Sequence, residues 1–118
     1  MKRYLFVLQH PPHSGSRGQE MLDVILTTAA FEQQVALLLV DDAVFQLKTQ
    51  QQAEKYGAKE TLALFNALAL YDVQPIYVEL ESLQERGLTV ADLNLAVELV
   101  ARQNIAQLFA QADVVFSG

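Results

Sequence analysis

The residue types able to carry chemistry fall in three places. Gln9-His10-Pro11-Pro12-His13-Ser14-Gly15-Ser16-Arg17-Gly18 gathers both histidines of the chain with two serines and two glycines. Asp41-Asp42 is an acid pair closing an apolar run, and Glu79, Glu81 and Glu85 form an acidic group further on. Cysteine is absent from all 118 residues, which removes disulfides, thiolate metal ligands and every thiol or persulfide mechanism from this chain's own side chains.

Each grouping is incomplete as a reactive site. Gly15-x-x-Gly18 is neither G-x-G-x-x-G nor a Walker loop, since no Lys-Ser/Thr follows it. The stretch still offers hydroxyls and glycines before a helix N-terminus, a setting able to bind an anion. The plainer reading is that Ser16 caps the helix, with Gln19 reaching back in the capping-box pattern, and that the glycines turn the chain. His10 and His13 are separated by two prolines rather than a helical turn, so they need not converge on one metal ion. Asp41 occupies the place of a ribose-binding acid in dinucleotide folds, but without the glycine fingerprint it reads as strand-end punctuation. Glu79, Glu81 and Glu85 could be paired carboxylates for acid/base work, but acids on an exposed strand-to-helix loop are more often solvated, and no nucleophile accompanies them. Ser14, Ser16 and Ser117 lack a G-x-S-x-G elbow. No catalytic, cofactor or metal residue is expected.

The elements that must position these loops are legible from periodicity. Tyr4–Leu8 and Val35–Val40 are continuous apolar runs ended by turn-formers or acids, the pattern of strands buried on both faces. Gln19–Phe31 places Leu22, Ile25, Leu26 and Ala29 on one helical face, and Ile105, Leu108, Phe109 and Ala112 repeat that spacing. Ala58–Leu70 reads as a further helix, Ile76–Val78 as a third strand and Val114–Phe116 as a last one. Leu95–Val100 fits a fourth strand, although 90–100 also fits a helix. Alternating strands and helices argue a single α/β domain over residues 1–118, a flavodoxin-like three-layer sandwich with a mainly parallel sheet of about five strands. Its working loops lie at the carboxyl ends of the strands.

Eight Lys and Arg against fourteen Asp and Glu give a net charge of −6. An acidic chain without a basic cluster is a poor partner for phosphate backbones, so direct nucleic-acid contact is not expected. The apolar run near Met1 is shorter than a signal peptide or a membrane span requires, so a cytoplasmic location away from membranes is expected. On the Ala58–Leu70 helix, Leu62, Phe65 and Ala69 form one stripe while Leu64 and Leu68, with Tyr71 beyond them, lie almost opposite. A second apolar stripe needs a second cover, and Val44 and Phe45 stand in what reads as an exposed loop. Val44, Phe45, Leu64, Leu68 and Tyr71 are therefore candidate partner-interface residues, buried only when another chain is present; the Gln-rich excursion at 48–59 folding over them is the alternative.

Pro12-His13 followed by a glycine, Gly18-Gln19-Glu20-Met21-Leu22-Asp23, Asp42-Ala43-Val44-Phe45-Gln46-Leu47, Leu70-Tyr71-Asp72, Leu83-Gln84-Glu85-Arg86-Gly87-Leu88 and Asp113-Val114-Val115 together resemble, in order and spacing, the TusC/DsrF-type subunits of the DsrE/F/H sulfur-relay family. Such proteins often carry glycine where this chain has Ala43, a position where a left-handed backbone would strain alanine. The resemblance implies a five-stranded subunit assembled with TusB-like and TusD-like siblings as a dimer of heterotrimers, with a TusE-like acceptor downstream. In that relay, sulfur moves as a cysteine persulfide toward 2-thiolation of the tRNA wobble uridine; in another branch it serves sulfur oxidation. The persulfide cysteine belongs to the TusD-like partner, so a cysteine-free chain fits a non-catalytic supporting subunit that needs no cofactor. The alternative, from the residues themselves, is a flavodoxin-like nucleotide- or phosphate-binding domain using the loop after the first strand.

Overall fold

The computed structural model describes residues 2–9, 17–31, 34–47, 70–92 and 97–117. Five strands form the sheet: β1 Arg3–Leu8, β2 Gln34–Leu39, β3 Ile76–Glu79, β4 Glu98–Val100 and β5 Val114–Ser117. Their order is β4-β3-β2-β1-β5 and every pairing is parallel. The described helices are α1 Arg17–Ala30, α2 Leu80–Glu85 and α3 Ile105–Gln111, joined by 3₁₀ turns at Asp41–Leu47, Val90–Asp92 and Arg102–Asn104. This is the flavodoxin-like α/β sandwich that the alternation of elements predicts, with 98–100 resolved as strand rather than helix.

Strand order decides which face each helix covers. The steps from β1 to β2, β3 and β4 run in one direction, whereas the return from β4 crosses back beyond β1 to β5. Right-handed crossovers therefore put the earlier helices on one face and α3 on the other. The packing agrees. Phe6, Leu8, Leu37, Leu39 and Val78 meet Ile25 of α1 and Leu83 of α2, while Leu5, Val7, Leu38 and Val40 meet Ile105, Leu108 and Ala112. Register reinforces the first layer, since Phe6 pairs with Leu37 on one side and Phe116 on the other, and the two phenyl rings stack at 5.2 Å.

Among the described residues, α3 is the one helix on the second face. An α-helix is about 10 Å across and runs along the strands it covers, whereas five strands at ~4.8 Å spacing span about 19 Å. Phe109 of α3 and Val115 of β5 remain 42% and 40% exposed.

Two backbone devices shape the carboxyl end. α2 closes with a Schellman motif: the Gly87 N–H donates to Gln84 O and the Leu88 N–H to Leu83 O, with Gly87 at φ +69°. Leu83 and Leu88 are both buried in the first layer, as that motif favours. The left-handed residue after β2 is Asp41, at φ +52°, and not Ala43. A short polar side chain tolerates that conformation, so alanine for glycine at 43 brings no strain here.

Candidate functional site

The carboxyl ends of the strands converge on a charged cluster. Glu79 ends β3, Asp41 follows β2, Arg102 follows β4, and Ser82 projects from α2. The Ser82 hydroxyl is fully buried, donates to Glu79 Oε1 at 2.5 Å and accepts the Asp41 N–H at 2.8 Å. Arg102 spreads over the acids of β3 and α2. Its guanidinium donates to Glu79 Oε1 at 3.0 Å and Glu85 Oε1 at 3.1 Å, and its backbone N–H donates to Glu81 Oε1 at 2.8 Å. Arg86 repeats the theme, reaching Asp42 Oδ1 at 2.9 Å and the Ser82 carbonyl at 3.2 Å.

These contacts set the protonation states. Burial alone would raise the pKa of Glu79, but hydrogen bonds from Arg102 and Ser82 and the charges of Arg102 and Arg86 outweigh it and hold the carboxyl below its ordinary value. Arg102 is pushed above its already high value by its bonds to Glu79 and Glu85. The Ser82–Glu79 pair has the outline of a nucleophile and its base, yet neither half suits that work. Ser82 has no access to a substrate, and a carboxyl held low is a weaker base than one tuned toward neutrality. Among the described residues no group of three or more His, Cys, Asp or Glu could hold a metal ion. The cluster joins three crossovers to one another and presents a charged rim.

Several expectations change. Glu79 is 5% exposed and ion-paired rather than solvated, and Glu81 and Glu85 are also engaged by Arg102. Val44 is fully buried inside its own chain, because the segment after β2 is a 3₁₀ turn that tucks Ala43 and Val44 against the first layer. Its apolar character therefore needs no partner. Tyr71 is 49% exposed beside Leu70 at 85%, so Val44 and Tyr71 do not share a surface. The Phe45 side chain, Leu64 and Leu68 lie outside the described residues, as do His10, His13, Ser14, Gly15 and Ser16. Ser82, Arg86 and Arg102 escaped the reading of the sequence. The one available signal for Arg102 was a cation directly after a strand, opposite a group of acids.

Fold and site together define an open parallel α/β protein whose described carboxyl end carries a buried, arginine-bound carboxylate. The chain belongs to the DsrE/DsrF-like family, which it matches over residues 2–117. It is similar to the protein named TusC homolog of Aliivibrio fischeri (strain ATCC 700601 / ES114), 32% identical over 115 residues covering 98% of each chain. It is likewise similar to that of Vibrio vulnificus (strain CMCP6), 35% identical over 100 residues and 85% of each. Among solved structures, the ychN protein of E. coli superposes with a TM-score of 0.79 at 23% identity over the full length of both chains. A protein of unknown function from Methanobacterium thermoautotrophicum gives 0.75 at 14%, also over both full lengths. These two likenesses establish the fold.

Proposed function

We propose that this chain is a non-catalytic supporting subunit of a sulfur-relay complex of the TusBCD/DsrEFH type, serving 2-thiolation of the tRNA wobble uridine. The observation that carries the proposal is a cysteine-free sequence in a chain similar, over nearly its whole length, to proteins named TusC homolog. A persulfide needs a thiolate to receive sulfur, so a relay containing this chain must keep that thiolate on a sibling. The buried, arginine-bound Glu79 agrees with a part that holds geometry for its neighbours.

The proposed partners are TusB-like and TusD-like chains in a dimer of heterotrimers with a TusE-like acceptor, all in the cytoplasm. No described helix is long and apolar enough to cross a membrane. Phe45, Leu64, Leu68 and Tyr71 are proposed to face a sibling; Val44, buried in the chain itself, is not. The test is to co-express this chain, tagged, with the two sibling reading frames and measure the assembly by size-exclusion chromatography with light scattering. A stable assembly holding all three chains is expected, and Phe45→Asp should weaken it while leaving the circular dichroism of the free chain unchanged. Elution of this chain alone, whatever the stoichiometry supplied, would refute the proposal.

A further inference from the structure

A cleft of about 640 Å³ opens at the carboxyl end of the sheet beside α3. Val7, Leu38 and Val40 of the central strands form its floor, and Ile105 and Phe109 of α3 form a wall. Its remaining charged lining is Asp41, Glu79 and Glu85 against Arg102, three carboxylates to one guanidinium. That guanidinium is already engaged by Glu79 and Glu85. Glu79, nearly buried, takes its bonds from Ser82 and Arg102 on Oε1 alone, so Oε2 receives none from a described residue. The cleft therefore combines an apolar floor, an aromatic ring in its wall and a surplus of negative charge.

We infer that this cleft is a docking site for a segment of another protein that presents a Lys or Arg beside an apolar side chain. The cation would sit against the carboxylates, where charge complementarity steers association, and the apolar neighbour would cover Phe109. Phosphates and nucleic acid are repelled by the same rim. A symmetric second copy is disfavoured, because it would set acidic rim against acidic rim on chains that each carry a net charge of −6. The source of the segment rests on the function proposed above: it is a sibling subunit of the complex.

Two measurements test this. In the first, the amide resonances of the full chain are followed while it is titrated with a heptapeptide bearing a central arginine flanked by leucines, and with its twin bearing glutamate at the centre. The arginine peptide should shift the amides of Asp41, Glu79, Ile105 and Phe109 and bind at least about tenfold more tightly than its twin. Phe109→Ser, at an exposed helix position, should lose about tenfold with the rest of the spectrum unchanged. Equal affinities, shifts confined to other regions, or no shift at millimolar peptide would overturn the inference. In the second, a photo-crosslinking benzoylphenylalanine replaces Phe109 in the co-expressed complex, and the crosslinked peptide is identified by mass spectrometry. A sibling segment with a basic and an apolar residue at the crosslink is expected; a link between two copies of this chain, or assembly with no link, would overturn it. Peptide binding without assembly of the siblings would sustain the cleft's chemistry while removing the proposed function.

Discussion

Replacing Ser82 by alanine should cost this protein far more than a surface serine would, and the structure supplies the size of the effect. The hydroxyl is fully buried and serves twice, accepting from the Asp41 N–H at 2.8 Å and donating to Glu79 Oε1 at 2.5 Å. Alanine keeps the Cβ and offers neither bond. A hydrogen bond to a carboxylate contributes about 1.5–3 kcal/mol, and an orphaned, part-buried N–H adds about 1, so the loss should be near 3 kcal/mol. For a domain of this length ~1 kcal/mol moves Tm by about 4 °C, which places the variant roughly 12 °C below the parent. Urea denaturation followed by circular dichroism measures this directly. A cycle with Glu79→Gln isolates the shared part, and the double variant should lose less than the two single losses combined. A loss under about 1 kcal/mol, or strict additivity, would refute the view that Ser82 ties the end of β2 to the end of β3 through Glu79.

Because Glu79 titrates below the ordinary value of 4.5, its stabilising contribution is fully present above that value and is lost as pH falls through the folded-state pKa. Urea midpoints between about pH 5 and pH 3 should therefore fall more steeply for the parent than for Glu79→Gln; parallel curves would contradict the assignment. Phe6→Ala removes a fully buried ring stacked on Phe116 at 5.2 Å and should cost about 3–5 kcal/mol in the same assay. Gly87→Ala meets no atom within 4 Å of the added Cβ, so its cost, about 1 kcal/mol, should come from the left-handed backbone alone. A neutral result there would show that the turn after α2 relaxes.

What the sequence reveals about this chain follows the physics of each segment. β1 and β2 are buried on both faces, so Phe6-Val7-Leu8 and Leu37-Leu38-Leu39 are apolar without interruption and read directly as strands. α1 and α3 each lay one stripe on the sheet and announce it by spacing. α2 has six residues, under two turns, and too few positions to show a period. The 3₁₀ turn at Asp41–Leu47 is hidden for the same reason, which is why Ala43 and Val44 look exposed in sequence and are buried in the fold. The acids of β3 and α2 looked solvated because their partner, Arg102, is 23 positions from Glu79 and reaches it only through the pairing of β3 with β4. Ion pairs at the ends of parallel strands are set by strand order, and local spacing carries no trace of it.

In the function proposed above, this chain positions sulfur chemistry without holding sulfur. Its sequence has no thiol, and the thioethers of Met1 and Met21 are already bonded to two carbons, so neither can be deprotonated to accept a sulfane sulfur. The direct measurement is intact mass spectrometry of every subunit after the chain alone, and then the assembled complex, has been incubated with a cysteine desulfurase and cysteine. The account predicts a reductant-sensitive gain of sulfur confined to a cysteine-bearing sibling and diminished when this chain is left out; the same gain on this chain would contradict it.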